Sequence, residues 1–163
     1  MSPPRAVVIG VGNEFRQDDG VGPSAVALLR SRVVPGLRLI DSDGQPTQLL
    51  DAWANAELAI VVDAARSEPP APGRIHRLLL RPASSSTVAG VSTHGLGLAD
   101  TVALAEVLGR APRRLVVFGV EAARTGYGRD LTPDVRAALP RVVDAVLAEL
   151  GIAPREGGSG VSC

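Results

Sequence analysis

Lysine is absent from this chain: all 17 basic residues of the lysine-plus-arginine count are arginine. A P-loop lysine, a Schiff-base lysine and a serine–lysine dyad are thereby excluded. Cysteine is almost absent as well. The single Cys163 is the last residue, so neither an intramolecular disulfide nor a cysteine-rich zinc site can form. It ends a Gly/Ser-rich segment, and residues 152–163 are expected to be a disordered tail, which argues against a cysteine nucleophile. Aromatic residues make up only 2% of the chain, so a core has to be built from Val, Leu, Ile and Ala. No apolar run approaches the roughly 20 residues of a membrane span, and Met1 to Arg5 lack the regions of a signal peptide. A formal net charge of zero argues against a nucleic-acid surface. No Gly-x-Ser-x-Gly elbow occurs. Chemistry is left to carboxylates, two histidines, arginines and hydroxyls, in a protein expected to be cytoplasmic and to have no membrane or nucleic-acid partner.

What is present is organised around the stretch from Val7 to Gly22. The apolar run Val7-Val8-Ile9 reads as a buried parallel strand. A loop punctuated by Gly10, Gly12, Gly20 and Gly22 follows, carrying the adjacent acids Asp18 and Asp19. Two acids side by side repel, and away from solvent they need a cation or hydrogen-bond donors to offset them.

The rest alternates in the same manner. A helix is expected from Gly22-Pro23 to about Arg32, with Val26, Leu29 and Val33 facing the core, and a strand over Leu37–Ile40. A helix over Pro46–Asn55 precedes a buried strand over Leu58–Val62 that ends on Asp63. Arg74–Leu80, with arginine flanks, suits an edge strand. A Ser/Thr-rich loop, Arg81–Val91, leads through Ser92-Thr93-His94-Gly95 to a helix over Leu96–Leu108. Leu115–Val120 is a further buried strand. Thr132-Pro133-Asp134 then starts a last helix running to about Leu150, with a kink expected at Pro140. This pattern implies one α/β domain over residues 1–151, a three-layer αβα arrangement around a mostly parallel twisted sheet of about five strands, one of them an antiparallel edge strand.

Ligands of such sheets bind beyond the carboxyl ends of the strands. That rule gathers Asp19, Asp41, Asp43, Asp63 and Glu121, with His94 at the start of a helix on the same edge. Two constellations follow. Gly10-Val11-Gly12 resembles half of a dinucleotide fingerprint, but Phe15 stands at the third glycine position and the helix begins too late to receive a pyrophosphate. Asp19, Asp63 and His94 form a mixed oxygen and nitrogen set suited to a divalent transition metal, with coordination positions left open. The competing reading makes Asp63 a capping acid and His94 a hydrogen-bonded loop histidine. His76, between Ile75 and Arg77, is expected to be an exposed surface residue.

At these residues the chain resembles the hydrogenase maturation endopeptidase family. The resemblance rests on Gly10-Val11-Gly12-Asn13, Asp18-Asp19-Gly20-Val21-Gly22, Val61-Val62-Asp63-Ala64 and His94-Gly95-Leu96-Gly97-Leu98, and continues through Phe118-Gly119-Val120 and Leu131-Thr132-Pro133. It implies a hydrolase that removes the C-terminal extension of a [NiFe]-hydrogenase large-subunit precursor after nickel insertion. It also implies that Asp19, Asp63 and His94 engage nickel carried by that precursor, the protein itself holding little, and a monomer is expected. Many members carry Asp-Gly-Gly-Thr after the second strand, where this chain has Asp41-Ser42-Asp43-Gly44-Gln45-Pro46-Thr47. Asp41, Asp43 and Gly44 are therefore the expected substrate-specificity loop. Nickel-assisted positioning and a carboxylate base acting on water both fit the residues. A non-catalytic metal-sensing module or chaperone for the same precursor is the alternative of a different class, and a nucleotide-binding protein is a third.

Overall fold

The computed structural model describes residues 5–32, 36–80, 91–93 and 98–152. Its elements, in chain order, are β1 (Ala6–Val11), α1 (Val21–Arg30), β2 (Arg38–Ser42), α2 (Pro46–Trp53), β3 (Leu58–Ser67), β4 (Ile75–Leu80), β5 (Val91–Thr93), α3 (Leu98–Val107), β6 (Arg114–Glu121) and α4 (Pro133–Glu149). A short 3-10 turn, Gln17–Gly20, carries the paired acids between β1 and α1. Five strands lie side by side in the order β2-β1-β3-β6-β4, and β5 pairs with β3 off that path. β1, β2, β3 and β6 run parallel to one another, while β4 closes one edge antiparallel to β6 and β5 pairs antiparallel to β3.

The period-two alternation of the strands sorts the core into two halves. Val8, Ile60, Val62, Val116 and Phe118 face α1 and α4, where Val26, Leu29, Val142 and Val146 meet them. Val7, Ile9, Val61, Leu115 and Val117 face the other way, toward Leu49, Trp53, Val102 and Ala105 of α2 and α3. Burial on both faces is why these strands read as unbroken apolar runs. The α/β class and the antiparallel edge strand stand as the sequence implies.

Boundaries shift where tertiary pairing outruns local pattern. β3 does not end on Asp63 but continues to Ser67, because β6 stays in register through Ala65↔Glu121 and β5 pairs antiparallel from Ala65↔Thr93. Its β1 partner does stop there, at Gly10↔Val62, so Asp63 is the first residue past that pairing. β5 arises where a loop and helix lead-in were expected, and the described part of α3 spans Leu98–Val107, the expected start at Leu96 lying outside the described residues. α1 ends at Arg30 and α2 at Trp53, two residues before Asn55, which has φ 61. α4 passes through Pro140 as one continuous helix. Val33 and the tail from 153 onward lie outside the described residues.

α1 sits so close to the sheet that side chains are excluded from the contact. A Cβ on Gly22 would lie 2.4 Å from the Val11 carbonyl oxygen and 2.5 Å from that of Val62. On the facing strand, a Cβ on Gly10 would meet the Gly22 carbonyl oxygen at 2.4 Å. Both obstacles are backbone, which cannot swing aside as a side chain can. Gly22→Ala should therefore cost at least about 3 kcal/mol, a shift of roughly 10 °C in melting temperature, whereas most surface changes stay within about 0.5 kcal/mol. Gly126, with nothing within 4 Å of its added Cβ, is the control. Equal melting temperatures for Gly22→Ala and Gly126→Ala would contradict the close-contact account.

Candidate active site

The two adjacent acids have different partners. Asp18 is fully buried, and its carboxylate accepts hydrogen bonds from the backbone N–H of Ala123 (2.8 Å), Arg124 (2.9 Å) and Thr132 (2.7 Å) and from the Thr132 hydroxyl (2.7 Å). Its own N–H donates to the Arg124 carbonyl at 3.0 Å. Asp18 therefore ties the first loop to the segment between β6 and α4. Thr132 is the N-cap residue of α4 but makes no side-chain capping bond, its hydroxyl being turned to Asp18 instead.

Asp19 lies in the same 3-10 turn. It is 6% exposed, and its Oδ2 accepts from the Asn13 N–H at 2.9 Å. The turn that carries it packs against both α1 and β3. Asp63, 3% exposed, sits on β3 one residue past Val62, and its Oδ1 accepts from the Ala64 N–H at 2.8 Å. Since Gly22 presses on Val62, the segments bearing Asp19 and Asp63 share one edge, beyond the end of β1. His94 lies outside the described residues, one position past the end of β5. Among the described residues, no three His, Cys, Asp or Glu side chains form a metal-holding group.

On the β2 side of the same edge, a pocket of about 370 Å³ is lined by Asn13, Glu14, Asp41, Ser42, Asp43 and Gln48 among others. Asp41 belongs to β2 itself and pairs with Arg30 of α1 at 3.2 Å. Asp43 is exposed, and its Oδ1 accepts from the Gln45 N–H at 3.1 Å, a local turn that leads into α2. Gly44, at φ +92, supplies the left-handed bend between them.

The glycine loop itself is closed to a phosphate. Gly12 has φ +142, and a Cβ there would lie 1.9 Å from the Asp19 carbonyl oxygen. The Gly12 N–H donates to the Ser42 carbonyl and the Asn13 N–H to Asp19. The backbone donors that a dinucleotide site would aim at its pyrophosphate are used inside the loop.

Sequence reasoning missed one polar cluster. Glu121, 1% exposed at the end of β6, accepts hydrogen bonds from the Ser67 hydroxyl and from the Ala71 N–H at 3.0 Å, while His76 Nε2 stands 2.9 Å from its other oxygen. A carboxylate only accepts, so His76 donates from Nε2. Burial pushes this carboxyl up, but the bonds from Ser67, Ala71 and His76 outweigh it and hold Glu121 below the usual carboxylate range. His76 is thus not the exposed surface residue expected, with a side chain only 16% exposed. The antiparallel register His76↔Gly119 on β6 brings it within reach of Glu121, a long-range pairing invisible in the local sequence.

The family model described as "Hydrogenase maturation protease" matches residues 25–149. The chain belongs to the hydrogenase maturation protease family. It is a hydrolase of the endopeptidase type. Hydrogenase 2 maturation protease of Escherichia coli is 31% identical over 148 residues, 90% of each chain. The hydrogenase expression/formation protein HupM of Azotobacter chroococcum is 35% identical over 167 residues, covering 96% of this chain and 78% of that protein. Among solved structures, the hydrogenase maturating endopeptidase HybD from E. coli superposes with a TM-score of 0.77 at 30% identity, over 90% of this chain and 92% of that one.

Two outcomes follow from the carboxylates. Asp18→Ala should destabilise the protein by at least about 3 kcal/mol, since several buried donors lose their acceptor together. Asp19→Asn, which keeps a carbonyl for the Asn13 N–H, should cost less than about 1 kcal/mol. Thermal melts of the two variants separate them, and equal losses would refute the division of roles. The folded pKa of Glu121 lies below its unfolded value, so its contribution is present above the unfolded value and is lost as pH falls through the folded one. Glu121→Gln should accordingly melt below the wild type near neutral pH, with the gap narrowing as the solution is acidified. A gap independent of pH would show that the Glu121 charge does not stabilise the fold.

Proposed function

We propose that this family member removes the C-terminal extension of a [NiFe]-hydrogenase large-subunit precursor once nickel has been inserted. The observation that supports the reading is the burial of Asp19 and Asp63, two carboxylates at least nine-tenths buried, on segments that pack together at the carboxyl edge of the sheet. With His94 they supply two oxygen ligands and one nitrogen ligand to nickel carried by the precursor, so the metal belongs to the substrate. Nickel held this way marks a precursor as ready and sets the register of its extension. Peptide hydrolysis adds the hydroxyl of water to the scissile carbonyl carbon and returns a proton to the leaving amine. A carboxylate at this edge holds that proton between the two events.

Asp43 at the rim is assigned to the choice of precursor. It is exposed and borders the pocket beside Asn13 and Glu14, and rim charge governs selection more than stability.

A processing assay tests the reading. Incubated with nickel-loaded precursor, the wild type should produce a faster-migrating, shortened subunit, and nickel-free precursor should remain uncut. His94→Ala should lower the processing rate at least about 100-fold, the upper loss seen for groups that merely support a ligand, while the protein stays folded. Asp43→Asn should alter the rate on one precursor relative to another without moving the melting temperature. Near-normal processing by folded His94→Ala would remove the histidine from the reaction, and an uncut nickel-loaded precursor would overturn the assignment.

A further inference from the structure

The chain has only four aromatic side chains, one Trp, one Tyr and two Phe. Trp53 and Phe118 are buried in the two halves of the core, at 0% and 3% exposure. The other two stand in solvent, Phe15 at 48% and Tyr127 at 94%. A protein this poor in aromatics has left half of them outside, on two loops far apart in sequence and adjacent in space.

Those loops are locked together. The Gly128 N–H donates to the Phe15 carbonyl at 2.9 Å, and the Gln17 N–H donates to the Gly128 carbonyl at 2.8 Å, around a parallel bridge between Arg16 and Gly128. The Asp18 carboxylate fastens the same two segments from below. At the junction Gln17 is held at φ 49, a strained conformation for a non-glycine residue that persists only where the surroundings enforce it. The exposed rings are therefore mounted on a braced surface.

Arginine surrounds them. The Arg129 guanidinium lies 4.7 Å from the centroid of the Phe15 ring. Arg16 Nε donates to the Thr125 carbonyl at 3.3 Å, and Arg66 donates to the Thr125 hydroxyl at 3.0 Å. Exposed Phe and Tyr with stacked or oriented Arg on a rigid support is the composition of a protein-binding hot spot. Its position identifies the occupant. Phe15 shares its loop with Asn13, whose N–H holds Asp19, so whatever seats on the rings is brought beside the proposed site.

We propose that the paired loops, with Phe15 and Tyr127 at the centre and Arg16, Arg66 and Arg129 around them, are the docking surface for the body of the hydrogenase large-subunit precursor. The matching face of the precursor is apolar and fringed with carboxylates. This inference rests on the reading of function given above and adds to it where the substrate is gripped: on the β6 side of the carboxyl edge, across from the acidic pocket at Asp41 and Asp43.

The test compares the wild type with Phe15→Ser/Tyr127→Ser on nickel-loaded precursor. Both side chains are exposed, so the melting temperature should hold. KM should rise at least tenfold while kcat changes less than threefold, and direct binding of the precursor to the immobilised protein should weaken by a similar factor. Arg129→Glu should weaken binding in the same direction. Unchanged KM and unchanged binding in the double variant would overturn the docking surface while leaving the processing activity in place. A change in oligomeric state with KM unaltered would assign the patch to a second copy of this chain and overturn it equally. Binding that depends on Phe15 and Tyr127 without any cleavage by the wild type would support the surface and refute the proteolytic reading.

Discussion

The loop at the candidate site depends on one buried carboxylate. Asp18 accepts from three backbone N–H groups and one hydroxyl, joining the first loop to the segment that leads into α4. Each buried donor left without an acceptor costs about 1–3 kcal/mol, so the loop has one strongly preferred position. Asp19 is the next residue, and its place over the end of β1 follows from that of Asp18. The position of Asp19 is thus set by the neighbour that ties its loop to the segment before α4.

Depth of burial alone does not distinguish the acids of this molecule. Asp18, Asp19, Asp63 and Glu121 all lie between 0% and 6% exposed. Asp18 and Glu121 each gather donors from separate stretches of chain, and they are ties between elements. Asp19 accepts from the Asn13 N–H and Asp63 from the Ala64 N–H, among the contacts that each makes. The ties hold either flank of the β3–β6 edge, and Asp19 and Asp63 occupy the ground between them.

The architecture was legible in the sequence because it depends on periodicity. Val7 to Ile9, Leu58 to Val62 and Leu115 to Val120 could be read as buried parallel strands from composition alone. The placement of Asp19 and Asp63 at the carboxyl edge followed from their positions after those strands. Three things were hidden. The extension of β3 past Asp63 is imposed by β6 and β5, whose registers are not written in β3 itself. The contrast between Asp18 and Asp19 depends on Thr132, whose motif reads as a simple helix cap. The Glu121–His76 contact needs the antiparallel register of β4, and a lone histidine between Ile75 and Arg77 carries no trace of it.

The order of the strands has a consequence for the protein's birth on the ribosome. β1, β2 and β3 come from the first 67 residues, but β3 is completed by β6, and α1 is covered by α4, the last helix among the described residues. A nascent chain can assemble the first three strands early, yet half of its core stays open until residues beyond Pro133 have emerged. Thr132, which fastens the acidic loop, leaves the exit tunnel only shortly before that. Closing this half of the core therefore waits on α4, the element farthest in sequence from the α1 it covers.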